Sequence, residues 1–294
     1  MTDDIPPEDI DKFLGKSPRT KNDETNKLRE KIISRIFSVS EEYFSHPIYG
    51  EKWRLVRDQF SPYIKKLSKG TVYTSFKLKH KGGRGHNHDF DILYYNEDTC
   101  VLTIPFEFKY GASSINKLAQ FLSLQAKHEI FEYTYVVFYY MKYLNEYMKT
   151  DPDITVHIPL LEDYLKYVTS TTPNVHPFFA KLAERENYYK KEKNTFVNNS
   201  IREYLSLYGH TINLDELYNK IAKTQKNKMY LLWFKNELHF DELVVDNNMI
   251  VGSIKNGNVL QVKSGNTTYN LLLRWRNHKG ILNPAWQISL TRSK

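Results

Sequence analysis

One cysteine, Cys100, stands in 294 residues. That excludes an internal disulfide framework and a thiolate zinc centre. No run of 18 apolar residues occurs, so a transmembrane helix is not expected. The opening Met1-Thr-Asp-Asp-Ile-Pro-Pro is acidic and has no apolar core, so a signal peptide is not expected either, and a soluble intracellular protein is the expectation. The Walker pattern G-x4-G-K-[ST] is missing, which removes P-loop nucleotide chemistry. G-x-S-x-G is missing too, and the lone cysteine sits in a strand-like run, so neither a serine nor a cysteine hydrolase is supported. Cys100 itself is expected to be buried and inert.

Positive charge is plentiful. Lys and Arg number 42 against 34 Asp and Glu, a net +8, and this balance favours a polyanionic partner. A hydrophobic content of 40% is enough for a sizeable core in one large domain or two modest ones.

The most informative stretch is Asp89 to Lys109, DFDILYYNEDTCVLTIPFEFK. Two strand-like runs flank the turn-like Asn96-Glu97-Asp98-Thr99, which predicts a β-hairpin. Side chains alternate across a strand, so Asp89 and Asp91 share one face, as do Glu107 and Lys109. Carboxylates and a lysine brought together in this way suit a hard divalent cation beside a phosphate. A Glu and a Lys inside so apolar a strand are expected to be paired or liganded.

The spacing Asp91, fifteen residues, Glu107-Phe108-Lys109, followed by Gly111, resembles the PD-(D/E)XK nuclease superfamily over roughly residues 70 to 130. The resemblance departs from the pattern in having Phe90 rather than Pro before Asp91, and it leaves open which of Asp89 and Asp91 is the main ligand. It implies an α/β (α+β) restriction-endonuclease-like core, a mixed sheet flanked by helices. It implies Mg²⁺, with Mn²⁺ as substitute, held by Asp91, Glu107, Asp89 and the Phe108 carbonyl, and Lys109 orienting water or stabilising phosphate charge. It also implies DNA as the substrate, with RNA or binding without catalysis as alternatives, and a homodimer for duplex cleavage. Gln120, on an expected helix of Ile115, Leu118, Phe121, Leu122 and Gln125, is carried over as a site residue. An extra acid is expected from an earlier helix, with Glu41, Glu42 and Glu51 as candidates.

Around this core the chain divides by pattern. Residues 1–22 are polar and basic and are expected to form a disordered arm. Residues 23–150 should form the nuclease core, with helices from Asp23 and over Gly50–Leu67, a strand over Thr71–Lys79, and a single helix over Phe131–Lys149. Between strand and hairpin lies His80-Lys81-Gly82-Gly83-Arg84-Gly85-His86-Asn87-His88. Its glycines let backbone amides approach a phosphate, and Lys81, Arg84, His86 and His88 add charge. His86 and His88 are alternative metal ligands. Residues 151–228 read as a helical insertion, suited to gripping a duplex. Residues 229–294 read as a C-terminal antiparallel β unit, with a hairpin signal at Asn256-Gly257. There Arg274, Arg276, His278 and Lys279, with Trp275 and Trp286, offer either a patch for reading a groove or stacking a base, or two core tryptophans with charges outside them.

Overall fold

Apolar periodicity decides most of the elements. The computed structural model describes residues 5–16, 18–81 and 86–293, so Arg84 and the glycines of the basic loop lie outside the described residues. Helices α1 (Asp9–Leu14), α2 (Asn22–Arg35), α3 (Glu41–Ser45) and α4 (Gly50–Leu67) come first. Strands β1 (Ser75–His80), β2 (Phe90–Asn96), β3 (Thr99–Tyr110) and β4 (Leu122–Gln125) follow. Then come helices α5 (Tyr135–Lys142), α6 (Leu144–Lys149), α7 (Leu161–Tyr167), α8 (Pro177–Glu184), α9 (Lys190–Tyr208) and α10 (Leu214–Gln225). The chain ends in β5 (Met229–Phe234), β6 (Glu237–Glu242), β7 (Met249–Lys255), β8 (Val259–Ser264), β9 (Thr267–Asn277) and β10 (Leu282–Arg292). The fold is α+β, with one mixed and one antiparallel sheet.

Two compact units result. The first joins Met1–Ile115 to Thr224–Val244, and the second joins Asn116–Lys223 to Val245–Lys294. In the first, the sheet order is β1-β2-β3-β5-β6, and only the β3–β5 pair is parallel. Parallel neighbours need a crossover, and here the intervening chain is most of the second unit. Contrary to expectation, the stretch from residue 229 on is not one β unit: β5 and β6 complete the first sheet, and β7 to β10 with β4 form the second.

The first unit's core gathers Trp53, Val56, Phe60 and Ile64 of α4 with Phe90, Ile92 and Tyr94 of β2 and Ile104, Phe106 and Phe108 of β3. Phe90 stacks on Phe106 at 5.5 Å, and the Tyr94 hydroxyl donates to the Ile64 carbonyl at 2.8 Å. The start of the chain is not the expected free arm. Ile5, Ile10 and Phe13 are buried in the same core, and Phe13 packs edge-on against Trp233 at 5.1 Å. Three apolar side chains spaced among charges suffice to dock a six-residue helix that would not persist alone.

The second unit corrects several expectations. Gln120 does not sit on a helix: Ile115–Lys117 form a single 3₁₀ turn and Leu122–Gln125 a strand paired with β10, because that edge offers Leu122 and Leu124 a ladder and a core. The aromatic run over 131–149 breaks into two helices at Tyr143. Trp275 and Trp286 are core residues rather than stacking platforms. Trp275 Nε1 donates to the Tyr135 hydroxyl at 3.1 Å, and Trp286 stacks on Phe131 at 4.9 Å. Cys100 is exposed, since it lies beside the β2–β3 turn, where β3 has left the core. The Asn256-Gly257 turn forms as expected, both residues at positive φ, and a Cβ on Gly257 would meet Arg202 Cγ at 2.7 Å. Among the described residues no helix is long and apolar enough to cross a membrane.

Phe13→Ala tests the docking of the opening segment. Loss of a buried phenylalanine should lower stability by about 3–5 kcal/mol in urea denaturation, whereas a free arm would leave it within about 0.5 kcal/mol.

Candidate active site

The β2–β3 register builds the site. Phe90 faces Phe106 and Asp91 faces Pro105 across the antiparallel pair. With Phe90, Ile92, Phe106 and Phe108 turned to the core, alternation turns Asp89, Asp91, Glu107 and Lys109 to the other face. Asp89 stands just before β2. Its amide donates to the Phe106 carbonyl at 2.8 Å, and its Oδ2 accepts from the Phe108 amide at 2.7 Å. Those bonds fix the aspartate across the hairpin from Glu107.

Glu107 meets two lysines. Lys109 Nζ lies 2.5 Å from Oε1, and Lys228 Nζ lies 3.4 Å from Oε2. Lys228 arrives from the residue before β5, because the parallel register sets Glu107 beside Tyr230. It is only 4% exposed, and its ammonium also donates to the Asn87 carbonyl at 2.8 Å. A buried lysine must be satisfied, and here a carboxylate and a carbonyl do so.

The charges are crowded, and burial is the largest influence on each. Burial, with Glu107 and Glu30 nearby, pushes the Asp89 carboxyl up to about 7, against the pull of Lys109 and the Phe108 amide. Glu30, on α2, is also raised, first by burial and then by Glu107, with Lys109 opposing. Burial pulls Lys109 down, but Glu107, Asp89 and Glu30 together outweigh it and hold the ammonium above its ordinary value. For Lys228 burial wins and the value falls, with Glu107 resisting.

Asp91 has different partners. It is 5% exposed, with Lys81 Nζ 3.3 Å from Oδ2 and His88 Nε2 2.7 Å from Oδ1. The histidine approach is close without being an aligned hydrogen bond. His86 is exposed, its ring 5.9 Å from that of His88. The Phe108 side chain is in the core, and only its peptide group borders the site. Gln120, Arg274, Arg276 and Lys279 belong to the second unit, the last three exposed. Among the described residues no group of three or more His, Cys, Asp or Glu side chains is arranged to hold a metal ion.

Two residues escaped the sequence reading. Glu30, rather than the exposed Glu41, Glu42 or Glu51, is the helical acid whose charge reaches Asp89. Nothing in the helical pattern of α2 singles it out. Lys228 carried a signal: like Asp89, it is a charged residue directly ahead of an apolar run, at the mouth of a strand. No protein-family model matches this chain, and no curated protein matches it.

Asp89 makes stability depend on pH. Its folded value, about 7, lies above the ordinary 3.8, so the folded chain keeps a proton that the unfolded chain releases. Its contribution is therefore lost as pH rises through that window. Asp89→Asn removes the dependence. Urea denaturation should show the variant gaining on wild type between pH 5 and pH 8, and a difference that does not change with pH would contradict the assignment.

Proposed function

We propose that the first unit is a divalent-metal-dependent phosphodiesterase that cuts DNA, with a site of the PD-(D/E)XK kind. The observation that carries this reading is the convergence of Asp89, Glu107 and Lys109 on one face of adjacent strands, with the Asp89 carboxyl held near 7 by burial and neighbouring acids. The pairing favours Asp89 over Asp91 as the partner of Glu107, since the Phe108 amide holds Asp89 while Lys81 and His88 attend Asp91.

The donor set fits Mg²⁺ or Mn²⁺. Asp89 and Glu107 are hard oxygen ligands, the Phe108 carbonyl is the third donor that the resemblance implies, and such ions use one or two carboxylates while keeping several waters. A buried acid pushed up by other acids is also a place short of positive charge. When bound, the ion supplies a more acidic water and a polarised phosphoryl oxygen. Lys109 stays protonated, so it does not take the proton from water; it donates hydrogen bonds to the attacking oxygen or to the charge gathering on phosphorus. Lys228 fixes the orientation of Glu107 by bridging it to the Asn87 carbonyl. Lys81 and His88, beside Asp91, are placed to hold a flanking phosphate, in keeping with the chain's net +8. Cutting both strands calls for two copies of this site, which a homodimer would supply.

The test is supercoiled plasmid with Mg²⁺, Mn²⁺ or EDTA, with a matched single-stranded RNA in parallel. Wild type should cut the DNA only with metal, and Lys109→Ala should slow cutting by roughly 10²–10³-fold. Cutting of RNA alone would reassign the substrate. Failure to cut either nucleic acid, or cutting that survives in Lys109→Ala, would overturn the reading.

A further inference from the structure

The face of the first sheet that carries Asp91 extends beyond the candidate site. In the β1–β2 register Lys79 lies opposite Asp91, Lys77 opposite Leu93 and Ser75 opposite Tyr95. The Lys81 amide donates to the Asp89 carbonyl at 2.8 Å, which carries the same register one step further. Residues paired across an antiparallel ladder share a face. Lys77, Lys79 and Lys81 therefore stand in a row on the face of the acids, while Phe76 and Leu78 pack on the core from the other.

A rise of about 3.3 Å per residue sets alternate side chains of a strand about 6.6 Å apart. That is close to the step between successive phosphates of an extended nucleic-acid strand. Lys77 and Lys79 are exposed, and among the described residues neither has a carboxylate partner. Lys81 is half-buried, its Nζ 3.3 Å from Asp91 Oδ2. The row thus runs from open solvent to the edge of the candidate site.

A second row runs beside it on β2. Leu93 and Tyr95 are half-buried, and Lys77 Nζ lies 5.6 Å from the centre of the Tyr95 ring. Across from them on β3, Thr103 faces Leu93 and Cys100 faces Tyr95, and both are exposed, so the face is open to solvent here. A cationic row beside aromatic and apolar side chains suits an unpaired strand, with the backbone on the lysines and the bases on the rings. A duplex keeps its bases stacked inside and would use the lysines alone. The exposed acids Glu97 and Asp98, in the β2–β3 turn, mark the far end of the row.

We propose that this face binds single-stranded DNA, with phosphates on Lys77, Lys79 and Lys81 and bases over Leu93 and Tyr95, so that the strand leads into the candidate site. The substrate is then an unpaired stretch, such as a tail, a flap or a melted region. The proposal rests on the phosphodiesterase reading for what becomes of the strand. Its binding needs no metal and no cleavage, so the two can fail separately.

Fluorescence anisotropy of a labelled oligothymidylate with the full chain in EDTA, over a range of salt and beside a matched duplex, tests it. The single strand should bind at least 10-fold more tightly than the duplex. Lys77→Ala combined with Lys79→Ala should weaken it at least 10-fold and lower the slope of log affinity against log salt by about 1.4, at about 0.7 per phosphate contact of a single strand. Tyr95→Leu, which keeps the apolar cover, should weaken it roughly 5-fold or more by loss of stacking and leave the slope unchanged. Bound oligothymidylate should also slow alkylation of Cys100, the chain's one cysteine, which faces Tyr95. Lysines on an edge strand also deter edge-to-edge pairing. A role confined to that would leave affinity and slope unmoved in the double variant and would overturn the proposal, as would tighter binding of the duplex or alkylation of Cys100 undisturbed by bound strand.

Discussion

Everything at the candidate site follows from placing Glu107 and Lys109 within an apolar strand. Alternation gives Phe106 and Phe108 to the core, so the charged pair must occupy the other face, where both are half-buried. A lone buried carboxylate there would be costly. Glu107 is instead flanked by Lys109 and Lys228; Asp89 and Glu30 add to the compensation of Lys109, and Asp89 to that of Lys228. Compensation is uneven: desolvation wins at Asp89, which is left close to neutrality in its preference for a proton. Such a misfit between a group and its surroundings is common at functional sites.

Topology makes this arrangement available. The parallel pairing of β3 with β5 brings Lys228 beside Glu107 across more than a hundred intervening residues. Local sequence cannot supply that contact. The same crossover makes room for the second unit, which carries its own antiparallel sheet and aromatic core.

Much of this was legible in the sequence, and the remainder has identifiable causes. The β2–β3 hairpin follows from two apolar runs around a polar turn, and α4, α9 and α10 follow from long, regular stripes. The role of Ile5, Ile10 and Phe13 was hidden because three apolar residues among charges look like an arm until a core is available to receive them. Residues 115–125 carry helical spacing, yet β10 offers them an open edge, and tertiary pairing overrides a weak local preference. Trp275 and Trp286 could be read either as a stacking surface or as core because basic residues surround them, and on β9 and β10 alternation turns the rings inward and the arginines outward. For the candidate site, the grouping of Asp89, Glu107 and Lys109 on one face was readable from strand alternation. The proposed preference for Asp89 over Asp91 rests on the hydrogen bond from the Phe108 amide, which no spacing rule encodes.

The central claim is that Asp89 and Glu107 act as one cation-binding pair and that Asp91 lies outside it. Calorimetric titration of Mn²⁺ into wild type, Asp89→Asn, Asp91→Asn and Glu107→Gln, without nucleic acid, measures this directly. The account predicts that Asp89→Asn and Glu107→Gln each weaken binding by at least 10-fold while Asp91→Asn stays close to wild type. Loss of binding in Asp91→Asn with Asp89→Asn unaffected would contradict it.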